Sequence, residues 1–150
     1  MGFKCDKKDF DIIQSLTEDS SASIAKISKK TGIPMATVHH RLKKLKSRGV
    51  IKKFTIEIDF EKLGKRISAY VLISADYKEL KKNQSSQKKL AFQLKKIPGI
   101  EKVDIVTGST DLIAFARSND IKELNSIILE KIQSLTGIDK TETLVLLEEV

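Results

Sequence analysis

A single cysteine, Cys5, is present among the 150 residues, so the chain cannot form an internal disulfide. No stretch approaches the roughly 18 uninterrupted apolar residues of a membrane-spanning helix. The opening MGFKCDKKDF lacks the apolar middle region of a secretory signal. We therefore expect a soluble cytoplasmic protein that makes no use of a membrane.

The motifs of the common enzyme classes are also missing. The sequence contains no Gly-rich phosphate loop, no HExxH and no GxSxG, and its carboxylates are scattered among lysines. The two histidines, His39 and His40, are adjacent, and neighbouring side chains on a helix point about 100° apart. They cannot share a metal as histidines at i and i+4 do. We expect no enzyme, no metal and no cofactor.

The positive charge is unevenly distributed. Residues 1–66 hold 16 Lys/Arg and 8 Asp/Glu, whereas residues 67–150 hold 12 of each, so the whole net charge of +8 lies in the first part. This asymmetry favours a basic module that meets a polyanion, joined to a neutral module with another task. A merely lysine-rich soluble protein remains the alternative on charge alone.

Three helices are predicted in the first part. Asp6 is placed to cap a helix that ends near Glu18, and a second, shorter helix stops at Thr31-Gly32. Pro34 and Gly49 bracket a third helix over about 34–48, with Pro34 in its first turn. A tight turn between the last two helices is typical of a helix-turn-helix, whose last helix enters the major groove of DNA.

A strand is predicted next, over residues 51–60, where apolar and polar residues alternate. The charged segment 61–66 follows at the point where the charge balance changes, so we place a boundary there. The predicted organisation is a DNA-binding domain over 1–50, a strand linker over 51–66 and a second domain over 67–150.

The second part alternates strand and helix signals in the order βαββαβ, which predicts a ferredoxin-like sheet with two helices on one face. The predicted segments are 67–75, 86–97, 100–108, 111–117, 120–137 and 141–150. The chain is thus expected to be α+β, with a winged-helix-like helix-turn-helix domain and a ferredoxin-like domain. Tyr70, Leu72, Val106 and Leu146 are assigned to the uncovered face, which subunit association would hide.

Double-stranded DNA is the partner that this pattern indicates. With Val38, Leu42 and Leu45 turned inward, residues near the start of the third helix are free to read base edges, and basic residues farther along reach phosphates. The first group contains Met35, Thr37 and His40. The predicted contact set is Met35, Thr37, His39, His40, Arg41, Lys43, Lys44, Arg48, Lys52 and Lys53. A solvated helix face is the alternative, and a membrane-surface helix would need a broader apolar face.

Residues 6–64 resemble the N-terminal half of Lrp/AsnC transcriptional regulators, and the remainder resembles their effector-binding domain. The most specific matches are Asp6-x-x-Asp9, Val38-x-x-Arg41-Leu42-x-x-Leu45, Gly49-Val50-Ile51, Leu63-Gly64 and Thr107-Gly108 before Asp111. The resemblance implies a homodimer built through the C-terminal sheets, assembled further into tetramers or octamers in many members. It also implies paired helix-turn-helix units on DNA and a response to an amino acid or related small molecule.

The effector site implied by the resemblance includes Gly108, Ser109, Thr110 and Asp111, with Thr141 and Thr143 as further candidates from their position in the family pattern. Backbone N–H groups at Gly108 could receive a carboxylate, and Asp111 could hold an ammonium group. Where the family commonly has an aromatic residue before the aspartate, this chain has Thr110. The alternative is a plain hairpin turn that Asp111 caps.

The sequence therefore predicts a sequence-specific transcriptional regulator that responds to an amino acid or related small molecule. The second hypothesis is a small-molecule sensor whose basic N-terminal part binds nucleic acid nonspecifically or binds protein.

Overall fold

The computed structural model describes residues 4–148, and the chain divides into two units, Met1–Ile58 and Asp59–Val150. None of the helices in the described residues is long and apolar enough to cross a membrane. The functional bounds 1–50, 51–66 and 67–150 remain a prediction.

The first unit contains the three predicted helices: α1 (Lys7–Glu18), α2 (Ile24–Thr31) and α3 (Met35–Ser47). Their inward side chains form one core, which includes Ile12, Leu16, Ile27, Ile33, Val38 and Leu45. Pro34 differs slightly from its predicted place, because it is the N-cap residue of α3 and not its first helical residue.

The turn between α2 and α3 depends on Gly32. This residue ends α2 with φ of 71°, a left-handed conformation that is costly for residues with a Cβ, and its N–H donates to the carbonyl of Ser28. Ile33, directly after it, is buried in the core. The chain can therefore reverse within a few residues and place α3 against α1 and α2.

An ion cluster around Arg41 joins α3 to the start of α1. Asp6 and Asp9 form a reciprocal capping box, in which each carboxylate accepts the backbone N–H of the other residue. Nη1 of Arg41 lies 2.7 Å from both carboxylate oxygens of Asp6 and 2.9 Å from Oδ1 of the buried Asp9. The guanidinium neutralises two neighbouring carboxylates that would otherwise repel each other, so α1 and α3 stabilise one another.

The predicted strand over residues 51–60 is wrong for the single chain, since these described residues form no strand. The side chains of Phe54, Ile56 and Ile58 are 43%, 75% and 38% exposed, although their alternation would suit a half-buried strand. A strand needs a neighbour to accept its backbone hydrogen bonds, and no strand of the first unit is available to it within the described residues. Ser20 holds the segment by donating from Oγ to the carbonyl of Thr55 at 2.8 Å.

The second unit is the predicted ferredoxin-like arrangement, a four-stranded antiparallel sheet in the order β2-β3-β1-β4. The strands are β1 (Ile67–Ala75), β2 (Ile100–Ile105), β3 (Leu112–Ser118) and β4 (Ile138–Val145). The helices are α4 (Tyr77–Lys82), α5 (Gln87–Lys95) and α6 (Ile121–Asn125), and α6 continues as a π-helical segment, Ser126–Ile132. The core lies between the helices and the sheet face that carries Val71, Ile73 and Ala114.

Three elements differ from the predicted boundaries. Helix α4 was not predicted; Asp76 caps it by accepting from the N–H groups of Lys78 and Glu79. The predicted helix over 120–137 is α-helical only to Asn125, so its expected apolar repeat is shifted, and Ile121 is half exposed while Ile127 is buried. The last strand begins three residues before Thr141, because pairing with β1 starts at Ile138, and residues 149–150 of its predicted range lie outside the described residues.

The other sheet face carries Tyr70 and Leu72, as predicted, because they alternate with the buried Ala69, Val71 and Ile73. Val106 and Leu146 lie just beyond the ends of β2 and β4. Tyr70 packs against Phe115 of β3 with ring centroids 5.0 Å apart. This face has no helix over it among the elements of the second unit that the structure describes.

Replacing Asp9 with Asn should destabilise the first unit, because the buried carboxylate bonds Arg41 and caps α1. We expect the free energy of unfolding to fall by about 2 kcal/mol for Asp9→Asn, the range of a hydrogen bond to a charged group. Asp11→Asn, on the same helix, is the matched control and should stay within roughly 0.5 kcal/mol of wild type. Urea denaturation followed by far-UV circular dichroism measures both, and equal losses would refute the role of the cluster.

Acid stability should depend on Arg41. Its hydrogen bond lowers the pKa of Asp6 below the ordinary value of about 4. A lowered folded-state pKa contributes stability above the unfolded pKa, and that stability is lost as the pH falls through the folded value. Arg41→Gln should therefore lose less stability than wild type between pH 5 and 3, while Arg66→Gln should follow wild type. Parallel acid denaturation curves for all three proteins would contradict this expectation.

Candidate functional site

The surface of α3 that faces away from the core is built by the spacing of its apolar residues. Val38 and Leu45 are buried and Leu42 is half-buried, so the helix sits with one narrow stripe inward. At about 100° per residue, the direction opposite to this stripe is occupied by Ala36, His40, Lys43 and Ser47, which we call the outward face. All four are exposed.

The two histidines are separated by this geometry. His40 lies within about 15° of the direction opposite to the buried stripe, whereas His39 lies almost 90° away from it, beside Met35 and Lys46. Both are exposed. The prediction that they lie on different faces follows the observed burial, and His40 is the better placed to enter a groove.

A cleft of about 430 Å³ borders the outward face. It brings together three of the residues predicted to contact DNA, Thr37, His40 and Lys44, next to the Arg41 cluster. Its remaining lining includes Lys4 and Ala36. Hydroxyl, imidazole and ammonium groups on one side of a helix can bond both base edges and phosphates.

The remaining basic residues of the predicted set flank α3. Lys43 is exposed on the outward face, and Arg48, Lys52 and Lys53 are exposed at and beyond the end of the helix. Nearby, Nζ of Lys46 lies 4.4 Å from the ring centroid of Phe54, which directs Lys46 toward residues 51–57. A line of positive charge therefore extends from α3 into the following segment.

Arg41 differs from the other residues of the predicted set. Its side chain is only 24% exposed, and Asp6 and Asp9 hold its Nη1, so it does not point outward with His40 and Lys43. These hydrogen bonds also raise its pKa, and the charge is therefore permanent. Arg41 orients α3, a task that the sequence pattern does not distinguish from phosphate binding.

The predicted effector loop, residues 107–110, is a short connection between β2 and β3. It is closed by the N–H of Val106, which donates to the carbonyl of Asp111 at 2.9 Å. Gly108 has φ of 131°, which favours glycine, and Gly108 and Ser109 are exposed while Thr110 is half-buried. The loop thus presents backbone groups to solvent.

Asp111 is the centre of a hydrogen-bond network. Its Oδ2 accepts the N–H of Ala75 at 2.8 Å, and its Oδ1 accepts from the Tyr77 hydroxyl at 2.5 Å and from Nε2 of Gln87 at 3.2 Å. Nε2 of Gln87 also donates to the Tyr77 hydroxyl at 2.7 Å. These bonds, led by that from Ala75, lower the pKa of Asp111, and the carboxylate raises the pKa of Tyr77. The capping role considered from the sequence is therefore present.

Tyr77 and Gln87 were not among the predicted site residues. Tyr77 opens α4, which sequence reasoning missed, although Asp76 three residues before Glu79 is a capping signal. Gln87 opens α5. Their meeting at Asp111 depends on tertiary structure, since 34 and 24 positions separate them from Asp111 in the chain.

Thr141 and Thr143 are not brought to Asp111 in the single chain. Thr141 and Leu112 both pair with Ile73, from opposite sides, so β1 separates Thr141 from the start of β3 by about 10 Å. Oγ1 of Thr141 instead accepts from Nε2 of Gln133 at 2.8 Å. The six predicted effector residues thus fall into two groups. Separately, no cluster of three or more potential metal ligands occurs within residues 4–148.

Comparison with protein families supplies the deciding observation. A model of the Lrp/AsnC ligand-binding domain matches residues 68–150, and a model of a winged helix-turn-helix DNA-binding domain matches residues 6–52. The chain belongs to the Lrp/AsnC family. It is accordingly a helix-turn-helix transcriptional regulator with a ligand-binding domain.

Individual relatives agree with this assignment. An HTH-type transcriptional regulator of Pyrococcus furiosus is 37% identical over 93% of this chain and 91% of its own. The HTH-type transcriptional regulator FL11 of Pyrococcus horikoshii is 37% identical over 95% of this chain and 89% of its own.

Solved structures share the fold. AsnC of E. coli superposes with a TM-score of 0.83 at 22% identity and covers 98% of this chain and 95% of its own. A transcriptional regulator of Neisseria meningitidis, solved as a complex with L-Met, gives a TM-score of 0.86 at 20% identity over 98% and 92% of the two chains.

Lys43→Gln should weaken binding to every DNA sequence and reduce the slope of log affinity against log salt by about 0.9, the value for one phosphate contact. Lys140→Gln removes the same charge from β4, far along the chain, and should leave the slope unchanged. Fluorescence anisotropy with operator and random duplexes over a salt series measures both. An unchanged slope for Lys43→Gln would rule out its phosphate contact.

Proposed function

We propose that this Lrp/AsnC protein is a sequence-specific regulator that binds DNA as a dimer and is modulated by an amino acid. It takes no part in catalysis. The observation that carries the DNA half of the proposal is the outward face of α3, where His40 points directly away from the core. A recognition helix needs such polar groups near its start, with basic groups along the rest of its length.

The support for an amino-acid effector comes from Asp111. The three groups that donate to its carboxylate, from Ala75, Tyr77 and Gln87, are all neutral. No ion pair of the described residues includes Asp111. A fixed carboxylate without a paired cation can receive an ammonium group. The L-Met complex of the Neisseria regulator, which shares the fold, is compatible with such a ligand.

The support for a dimer is the uncovered sheet face. Tyr70 and Leu144 are 44% and 47% exposed there, beside the half-buried Leu72, Ile113 and Phe115. A contiguous apolar surface of this kind favours association with a second copy. A twofold dimer would present two α3 helices to successive major grooves, and further assembly into tetramers or octamers is compatible with the same arrangement.

Footprinting on random genomic fragments tests the proposed function. We expect discrete protected sites with half-sites about one helical turn, or a multiple of it, apart. Protection that shifts when amino acids are added supports the effector role. Uniform coverage would favour the nonspecific nucleic-acid-binding sensor, and no binding would contradict the regulator.

Substitutions at Thr37 and His40 should alter which sequences are bound. Each side chain that reads a base contributes about 1–3 kcal/mol of discrimination, so Thr37→Ala and His40→Ala should each relax the preference at one position of each half-site. His39→Ala is the matched control, because its side chain points sideways. In-vitro selection of binding sites measures the preference, and an unchanged motif for both Thr37→Ala and His40→Ala would refute base reading by this face.

A further inference from the structure

A second concave surface of the ligand-binding domain lies beside Asp111. It is an open cleft of about 580 Å³, which we call the α4–α5 cleft. It is lined by Tyr77, Leu80, Lys81, Ser85, Ser86, Gln87, Lys88 and Ile105. Tyr77 and Gln87 belong both to this lining and to the network of Asp111, so the cleft and the carboxylate form one continuous site.

The lining combines an apolar wall with positive charge. The side chains of Tyr77 and Ile105 are 55% and 47% exposed, and so offer apolar area that a ligand can cover. Lys81 and Lys88 are exposed at the same cleft, and neither takes part in an ion pair among the described residues. Ammonium groups next to apolar walls suit a ligand with a carboxylate and an apolar side chain.

The carboxylate of Asp111 supplies the third element of recognition. It lies at the end of the cleft marked by Tyr77 and Gln87, and it has no paired cation among the described ion pairs. A negative group at one end and lysines elsewhere on the lining match the two charges of a zwitterion. An α-amino acid carries both charges and a side chain on one carbon atom.

We propose that the α4–α5 cleft binds an α-amino acid with an apolar side chain. The ammonium group meets Asp111, the carboxylate meets Lys88 or Lys81, and the side chain packs against Tyr77 and Ile105. This inference rests on the proposed effector role and adds the residues and the ligand class. It places the ligand against α4 and α5, and Thr141 and Thr143 have no part in it.

Tyr77 and Gln87 are positioning residues in this site. The Tyr77 hydroxyl donates to Asp111 while accepting from Gln87, so the two side chains fix the carboxylate that receives the ammonium group. Their shared hydrogen bonds also hold the starts of α4 and α5 together, and the cleft lies between these helices. A ligand that bonds Asp111 would therefore stabilise the local arrangement of both helices.

Isothermal titration calorimetry on the full-length protein tests the site with three matched probes. Leucine carries both charges, 4-methyl-2-oxopentanoate lacks the ammonium group, and 3-methylbutylamine lacks the carboxylate. We expect leucine to bind at least tenfold more tightly than either analogue, since each analogue leaves one charged group of the site without its partner. Aspartate and lysine complete the panel, and preference for either would overturn the apolar class.

Two variants of the same helix region make the test specific. Lys88→Gln should weaken leucine binding about tenfold and leave the affinity for 3-methylbutylamine unchanged, because only the carboxylate contact is lost. Lys96→Gln removes one charge just after α5, outside the cleft, and should bind leucine like wild type. Lys81→Gln, examined in the same way, covers the second lysine. Unaltered leucine affinity in both Lys88→Gln and Lys81→Gln would overturn the proposal.

The same experiment separates this inference from the proposed function. If leucine or another amino acid binds wild type and shifts its footprint, but Tyr77→Ala and both lysine variants bind it normally, the cleft is wrong and the effector role stands. If no amino acid binds wild type, the cleft and the effector role both fail, while specific DNA binding is judged by the footprint. Circular dichroism of Tyr77→Ala, with Tyr77→Phe as the milder variant, shows whether each retains its fold.

Discussion

The DNA-binding half of this protein depends on the ion cluster in which Arg41 bonds Asp6 and Asp9. The two carboxylates cap α1 reciprocally, and the guanidinium that neutralises them comes from the middle of α3. The start of α1 and the rotation of α3 are therefore fixed by the same hydrogen bonds. That rotation sends Val38 and Leu45 into the core and leaves His40 pointing directly outward.

A second carboxylate organises the ligand-binding half in a contrasting way. Asp111 accepts three hydrogen bonds, from the end of β1 and the starts of α4 and α5, but none comes from a cation. The cluster around Arg41 is internally neutralised by its cation and serves positioning. The network around Asp111 keeps a negative charge beside an open cleft and is suited to a ligand. The two acidic sites thus differ in function because one has a counter-ion and the other does not.

The fold was largely predictable, since capping residues, glycine stops and apolar periods act locally. Asp6, Gly32 and the run Ile67–Ala75 each mark a boundary that the structure confirms. The segment 51–60 was predicted as a strand because alternation shows a preference but not whether a neighbouring strand exists. The candidate sites were less accessible, because Tyr77 and Gln87 reach Asp111 only through tertiary packing, and because Arg41 resembles any basic residue of a recognition helix until Asp6 and Asp9 are placed beside it.

The central claim is that the rotation of α3 directs His40, and not His39, toward the bases. Site-specific photo-cross-linking measures this most directly: a benzophenone amino acid is placed at the His40 or the His39 position, and each protein is irradiated on its selected operator. Cross-links to major-groove bases from the His40 position, with few or none from the His39 position, are the predicted result. Equal base cross-linking from both positions, or cross-linking from the His39 position alone, would contradict the account.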